Sequence, residues 1–211
     1  MATQIQTTAA SGIEHPLTAQ EKIHKLQELY ADAPEISKKA LANVLRELTS
    51  QVSVTPPPPI QSAGRAGSRL GKVSELTLLI PLAPGGARRL REFLRLLGGN
   101  LNGADKVGTV HDMRFVFLDN DTKLLFATAY DGDWDAYIDD FATKIPNSMD
   151  ILFCNCEGWP GIKSPVIKDW LLKYQLTATA WYVASPNLTV AETKRLEKVG
   201  AAVDEFLDKI E

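Results

Sequence analysis

The spacing of apolar residues changes period several times along the chain, and from Val73 onward the changes alternate regularly. Residues 74–81 (SELTLLIP) form an apolar run of strand length. Pro84-Gly85-Gly86 turns the chain into a segment with Leu90, Phe93, Leu94 and Leu97 at helical spacing, which Gly98-Gly99 stops. Residues 108–118 (GTVHDMRFVFL) and 123–130 (KLLFATAY) flank Asp119-Asn120-Asp121-Thr122, a pattern that predicts a hairpin. Asp133 then stands as the N-cap of a helix with Trp134, Tyr137, Ile138 and Phe141 on one face, closed by Pro146 and Asn147. Residues 149–154 (MDILFC) read as a fourth strand. Strand, helix, strand, strand, helix, strand is the split β-α-β order of an α+β, ferredoxin-like antiparallel sheet with its helices on one face.

The remainder adds further elements. Ser164-Pro165 starts a helix bearing Ile167, Trp170, Leu171 and Tyr174, and residues 177–185 (TATAWYVAS) predict a fifth strand. The capping box Thr189-x-x-Glu192 opens a terminal helix with Leu196, Val199, Val203, Phe206, Leu207 and Ile210. Upstream, residues 1–17 are small, polar and aperiodic, the pattern of a disordered tail. Residues 18–50 predict a helical pair. Its first member follows the capping box Thr18-x-x-Glu21 and carries Ile23, Leu26, Leu29 and Tyr30. Its second, from about Glu35, carries Ile36, Ala40, Leu41, Val44, Leu45 and Leu48. Two such helices have no core of their own and need the main domain or a second subunit as partner. Between them and the domain at 73–211, residues 51–72 read as a Pro/Gly-rich linker, with Pro56 to Pro59 as a short polyproline spacer.

Composition narrows the function classes. Of the 211 residues, 23 are Lys or Arg and 26 Asp or Glu, a formal charge of −3, which speaks against a nucleic-acid partner. No apolar run approaches the roughly 20 residues that span a bilayer, and the N-terminus has neither a basic nor an apolar leader region, so the expected location is cytoplasmic. Cys154 and Cys156 are the two cysteines, with no His or Cys cluster beside them, so no metal is expected. An EF-hand loop begun at Asp131 would need Gly and Glu where Ala136 and Ala142 stand. Nucleotide-binding, serine-hydrolase and zinc-protease signatures are absent.

The most distinctive stretch is 107–161, VGTVHDMRFVFLDNDTKLLFATAYDGDWDAYIDDFATKIPNSMDILFCNCEGWPG. Its strand His111-Asp-Met-Arg114-Phe-Val, followed by Leu-Leu-Phe and Tyr130-Asp131-Gly-Asp, resembles a group of bacterial proteins of the dimeric α/β-barrel superfamily. That superfamily includes dye-decolourising peroxidases, chlorite dismutase-like haem proteins and small cofactor-independent monooxygenases. The resemblance implies a sheet whose second face meets another sheet, in a homodimer or a second domain, with a ligand between them and haem as a candidate cofactor. Residues 128–132 (TAYDG) are similar to the G-x-x-D-G motif of the peroxidases, with Thr128 in place of the first Gly and no histidine after His111.

Within that stretch, alternation puts His111, Met113, Phe115 and Phe117 on one strand face, and Asp112, Arg114, Val116 and Leu118 on the other. His111, Asp112 and Arg114 are the candidate catalytic groups, as base, acid and fixed donor. Tyr130, Asp131 and Trp159 are the candidate ligand-binding residues. Two functions stay open. One is a small-molecule-binding, haem-associated oxidoreductase-like protein with a pocket at the sheet face. The other is a non-catalytic accessory module that dimerises through the sheet or the N-terminal helices.

Overall fold

The computed structural model describes residues 18–50, 59–99 and 101–210. The chain divides into two compact units, Met1–Pro57 and Pro58–Glu211. In the first, α1 (Ala19–Leu29) begins on the expected capping box: the Thr18 hydroxyl accepts the Glu21 N–H at 3.3 Å, and the Glu21 carboxylate accepts the Thr18 N–H at 2.7 Å. Helix α2 (Glu35–Ser50) follows a short turn that contains Pro34. Leu29, Ile36, Val44 and Leu48 are exposed on these helices. The expected tail at 1–17 and most of the proline spacer lie outside the described residues.

The second unit is α+β and is organised by an open antiparallel sheet of six strands. They are β1 (Ile60–Ser62), β2 (Ser68–Leu70), β3 (Val73–Pro81), β4 (Val110–Leu118), β5 (Lys123–Asp131) and β6 (Gln175–Leu176). The order is β1-β2-β3-β5-β4, with β6 also paired to β3. Strands β3 and β5 are in register over their whole length, from Val73 opposite Asp131 to Pro81 opposite Lys123. Strands β4 and β5 form the hairpin that the sequence predicts. Its tip runs through Asp119, Asn120 and Asp121, all with φ between 51° and 65°. Asp and Asn tolerate that left-handed region better than other side chains, which is why they stand there.

The helices of this unit are α3 (Gly86–Leu96), a 3-10 turn (Asn102–Lys106), α4 (Trp134–Lys144), α5 (Pro146–Phe153), α6 (Ile167–Tyr174) and α7 (Val190–Asp208). Helices α3 to α6 supply the residues that cover one face, and α7 touches the body only at its start. The core joins Leu76, Leu78 and Ile80 of β3 and Leu124, Phe126 and Tyr130 of β5 to Leu90, Trp134, Tyr137, Ile138 and Phe141 of the helices. Alternation along the strands puts those residues on one face and leaves Leu79, Leu125, Val116 and Leu118 on the other. Helix α3 starts where the backbone crosses residue 155: a Cβ on Gly86 would sit 2.2 Å from the Asn155 carbonyl oxygen. Only glycine permits that approach.

Three expectations change. Residues 149–154 are not a strand but most of α5. Pro146 sits in the first helical turn, where its missing N–H costs nothing, and Met149, Leu152 and Phe153 fall at helical spacing on the buried side. Residues 177–185 form no ladder beyond Leu176. The edge of β3 where another strand would pair is taken in sequence by β2 at Val73 and Ser74, β6 at Thr77 and Leu78, and an isolated bridge from Cys156 to Leu82. Finally, β1 and β2 lie inside the stretch read as linker, so the sheet unit begins well before residue 73.

Candidate functional site

Strand β4 carries the site because it is irregular. Val110 pairs with Tyr130 and Asp112 with Ala129, so two residues of β4 span one step of β5 and His111 is the bulged residue. The bulge reverses the alternation ahead of it. Val110, rather than His111, packs against the core with Met113, Phe115 and Phe117. His111 is turned sideways to the end of β5, where its Nε2 lies 2.7 Å from Asp131 Oδ1. The His111 and Asp131 side chains are 23% and 12% exposed. The other carboxylate oxygen, Oδ2, accepts the Val190 N–H at 2.9 Å, at the first residue of α7. Asp131 thereby ties the bulge to a helix N-terminus, where the dipole favours its charge.

A carboxylate accepts, so the His111 nitrogen facing it carries the proton. In the neutral imidazole Nδ1 is then the acceptor, and it has no hydrogen-bond partner among the described residues. His111 borders a shallow depression of about 200 Å³ with Asp105, Asp112, Val110, Leu101, Ala104 and Met113. The last three also line a deeper apolar cavity of about 320 Å³. That cavity lies between the end of α3 (Phe93, Leu97), the 3-10 turn and α5 (Met149, Leu152). The charges on its rim are answered within the fold. Asp112 pairs with Arg114, and Asp105 with Lys194 at 2.9 Å.

The expected site therefore divides. His111 and Asp131 come together. Asp112 and Arg114 pair with each other on the exposed sheet face, with side chains 47% and 58% exposed, and Arg114 lines none of the cavities described. Tyr130 belongs to the core, stacked on Tyr137 with ring centroids 3.8 Å apart. Burial, helped by the charge of Glu75, pushes its hydroxyl well above the usual tyrosine range, and that hydroxyl makes no hydrogen bond among the described residues. Trp159 sits elsewhere, against Phe153 and Trp170, with its indole N–H donated to Asp150 at 3.0 Å. The cavity-lining residues on α5 escape sequence reasoning because 149–154 reads as a strand. The bulge left a signal: His111-Asp112 places two polar residues between Val110 and Met113 and breaks the alternation.

The acidic run 131–140 is consumed by ion pairs. Asp133 meets Arg69 at 2.7 Å, Asp135 meets Arg65 and Lys168, Asp139 meets Lys168, and Asp140 meets Lys144. Among the described residues no three His, Cys, Asp or Glu side chains are arranged to hold a metal ion. Cys154 is exposed, whereas Cys156 is buried and its thiol is pushed up to about 12 by desolvation. The residues present do not suit haem: about 320 Å³ of cavity suits a ligand much smaller than a porphyrin, and His111 does not line it. Among the described residues no helix is long and apolar enough to cross a membrane. No family model, curated protein or solved structure matches the chain.

Proposed function

We propose that the chain binds a small apolar molecule bearing one hydroxyl group, with its body in the cavity between α3, α5 and Met113 and its hydroxyl at His111. The observation that carries this reading is the 2.7 Å contact between His111 Nε2 and Asp131 in a depression that shares Leu101, Ala104 and Met113 with a mainly apolar cavity. The contact leaves Nδ1 as an acceptor, so a phenol or alcohol suits it better than a carboxylate. A carboxylate would bring a second negative charge towards Asp131. An imidazole oriented by a carboxylate is also the arrangement of a general base, and a bound hydroxyl would be the proton donor to it.

We further infer that the sheet is a ferredoxin-like variant. The order β3-β5-β4, all antiparallel, with α3 and α4 as the intervening helices, supplies the first five elements of that repeat. The short pieces at the β3 edge take the place of the sixth. The membership of the dimeric α/β-barrel superfamily that the sequence resemblance implies rests on this order and on the apolar positions Leu79, Leu125, Val116 and Leu118 of the outer face.

Calorimetric titration with propylphenol and with propylbenzene tests the binding reading. Propylphenol is expected to bind more tightly, by about one hydrogen bond or 0.5–1.5 kcal/mol. His111→Ala removes that difference, and Met149→Trp, which fills the cavity, abolishes both interactions. Equal binding of the two compounds by the unaltered chain, or binding that survives Met149→Trp, overturns the proposal.

A further inference from the structure

One polar side chain stands in the wall of the cavity between α3, α5 and Met113. Eleven residues line that cavity, and all but Ser148 are glycine or carry apolar side chains. Ser148 is the third residue of α5, and its N–H is held by the Ile145 carbonyl at 3.1 Å. Its hydroxyl has no hydrogen-bond partner among the described residues. In α2 and α4 the Thr49 and Thr143 hydroxyls donate to backbone carbonyls three and four residues back, each at 2.9 Å, which is a common use of a short hydroxyl inside a helix. Ser148 does not follow them. The backbone of the wall is committed as well. The carbonyls of Phe93, Leu101, Ala104 and Ile145 accept the N–H groups of Leu97, Ala104, Val107 and Ser148. Among the described residues, the Ser148 hydroxyl is therefore the side-chain group that this wall leaves to a ligand.

We propose that Ser148 sets the ligand class: the molecule carries a ketone or ester carbonyl at the end opposite its hydroxyl, and Ser148 donates to that carbonyl. This rests on the reading above, in which the ligand hydroxyl lies at His111. The two poles fall on different sides of a shared wall. Leu101, Ala104 and Met113 border both spaces, with His111 in the depression and Ser148 in the cavity. Ser148 is exposed, so its hydroxyl is hydrated until a ligand covers it. A wholly apolar ligand lying over it would leave the hydroxyl unanswered, and a carbonyl restores the bond. The other polar groups fit less well. A carboxylate would meet no cation among the lining residues. A primary amide brings two N–H groups besides its oxygen, and a second hydroxyl that accepts from Ser148 leaves its own O–H against the apolar wall. A ketone or ester carbonyl asks for one donor, which Ser148 supplies.

Calorimetric titration of the full chain with para-butylphenol, para-pentylphenol and the ketones that carry a carbonyl on the same side chains tests it. At least one ketone is expected to bind about two- to tenfold more tightly than its parent alkylphenol, the worth of one neutral hydrogen bond. Ser148→Ala brings that ratio to one, and Ser148→Thr, which keeps the hydroxyl, keeps the ratio. The position is exposed and alanine favours a helix, so the alanine variant retains the fold. Alkylphenols that bind while no ketone gains over them overturn this inference and leave the reading of His111 standing. A ketone preference that survives Ser148→Ala overturns the role of Ser148. If neither alkylphenols nor ketones bind, the reading of the cavity falls and this inference falls with it.

Discussion

Asp131 holds two elements with one carboxylate, and its energetics follow from that division. One oxygen orients His111 and the other receives the first N–H of α7. Asp131→Asn keeps the size and removes the charge. It can keep one of the two bonds by presenting its oxygen, but it offers an N–H where the other acceptor stood. We expect a loss of about 1–3 kcal/mol in unfolding free energy, together with loss of the propylphenol preference because His111 is no longer held in one tautomer. Urea unfolding monitored at the tryptophans measures the first effect. A variant as stable as the parent would show that the charge of the carboxylate does not hold the two elements together. The residue was legible in the sequence as a candidate ligand-binding position. Its partners were not, since one lies 20 residues upstream on a bulge and the other 59 residues downstream.

At the level of elements, local chemistry and the β4–β5 hairpin were readable, and the pairing of segments distant in the chain was not. Both capping boxes form as the sequence predicts, because a cap is decided by four consecutive residues. Residues 149–154 were misread because a short apolar run suits a strand or a buried helix equally, and Pro146 in the first turn decides for the helix. The cap of α7 is reinforced from outside its helix. Lys72 Nζ lies 2.7 and 2.8 Å from the two Glu192 oxygens. That contact, followed by the Thr189 N–H and hydroxyl, lowers the Glu192 carboxyl from its usual 4.5 to about 2. A carboxyl lowered on folding stabilises above its unfolded value, and the contribution disappears as pH falls through the folded value. Glu192→Gln is therefore expected to melt earlier than the parent at neutral pH, with the gap closing between pH 4.5 and about 2. Thermal melts followed by circular dichroism across that range decide it, and a pH-independent gap would mean that the carboxylate contributes only through its shape.

For the whole molecule, the α+β class and the β4–β5 hairpin could be read from periodicity because both depend on neighbouring segments. The partners of the second β3 edge could not, since they come from residues 69–70, 156 and 175–176 and no local pattern joins them. This edge has a consequence in time. The side of β3 facing β5 is one continuous ladder, while the other is closed by three separate clasps that are distant in sequence. Bringing each clasp home closes a different length of chain, and the longest closures come late in folding. Native-state hydrogen exchange should therefore be uneven along one strand. Amides of β3 bonded to β5 should open only with global unfolding, and the Gln175–Leu176 clasp should release earlier as a sub-global event. The sheet would then loosen from a single seam, as a zip with one firm row of teeth and three hooks opposite.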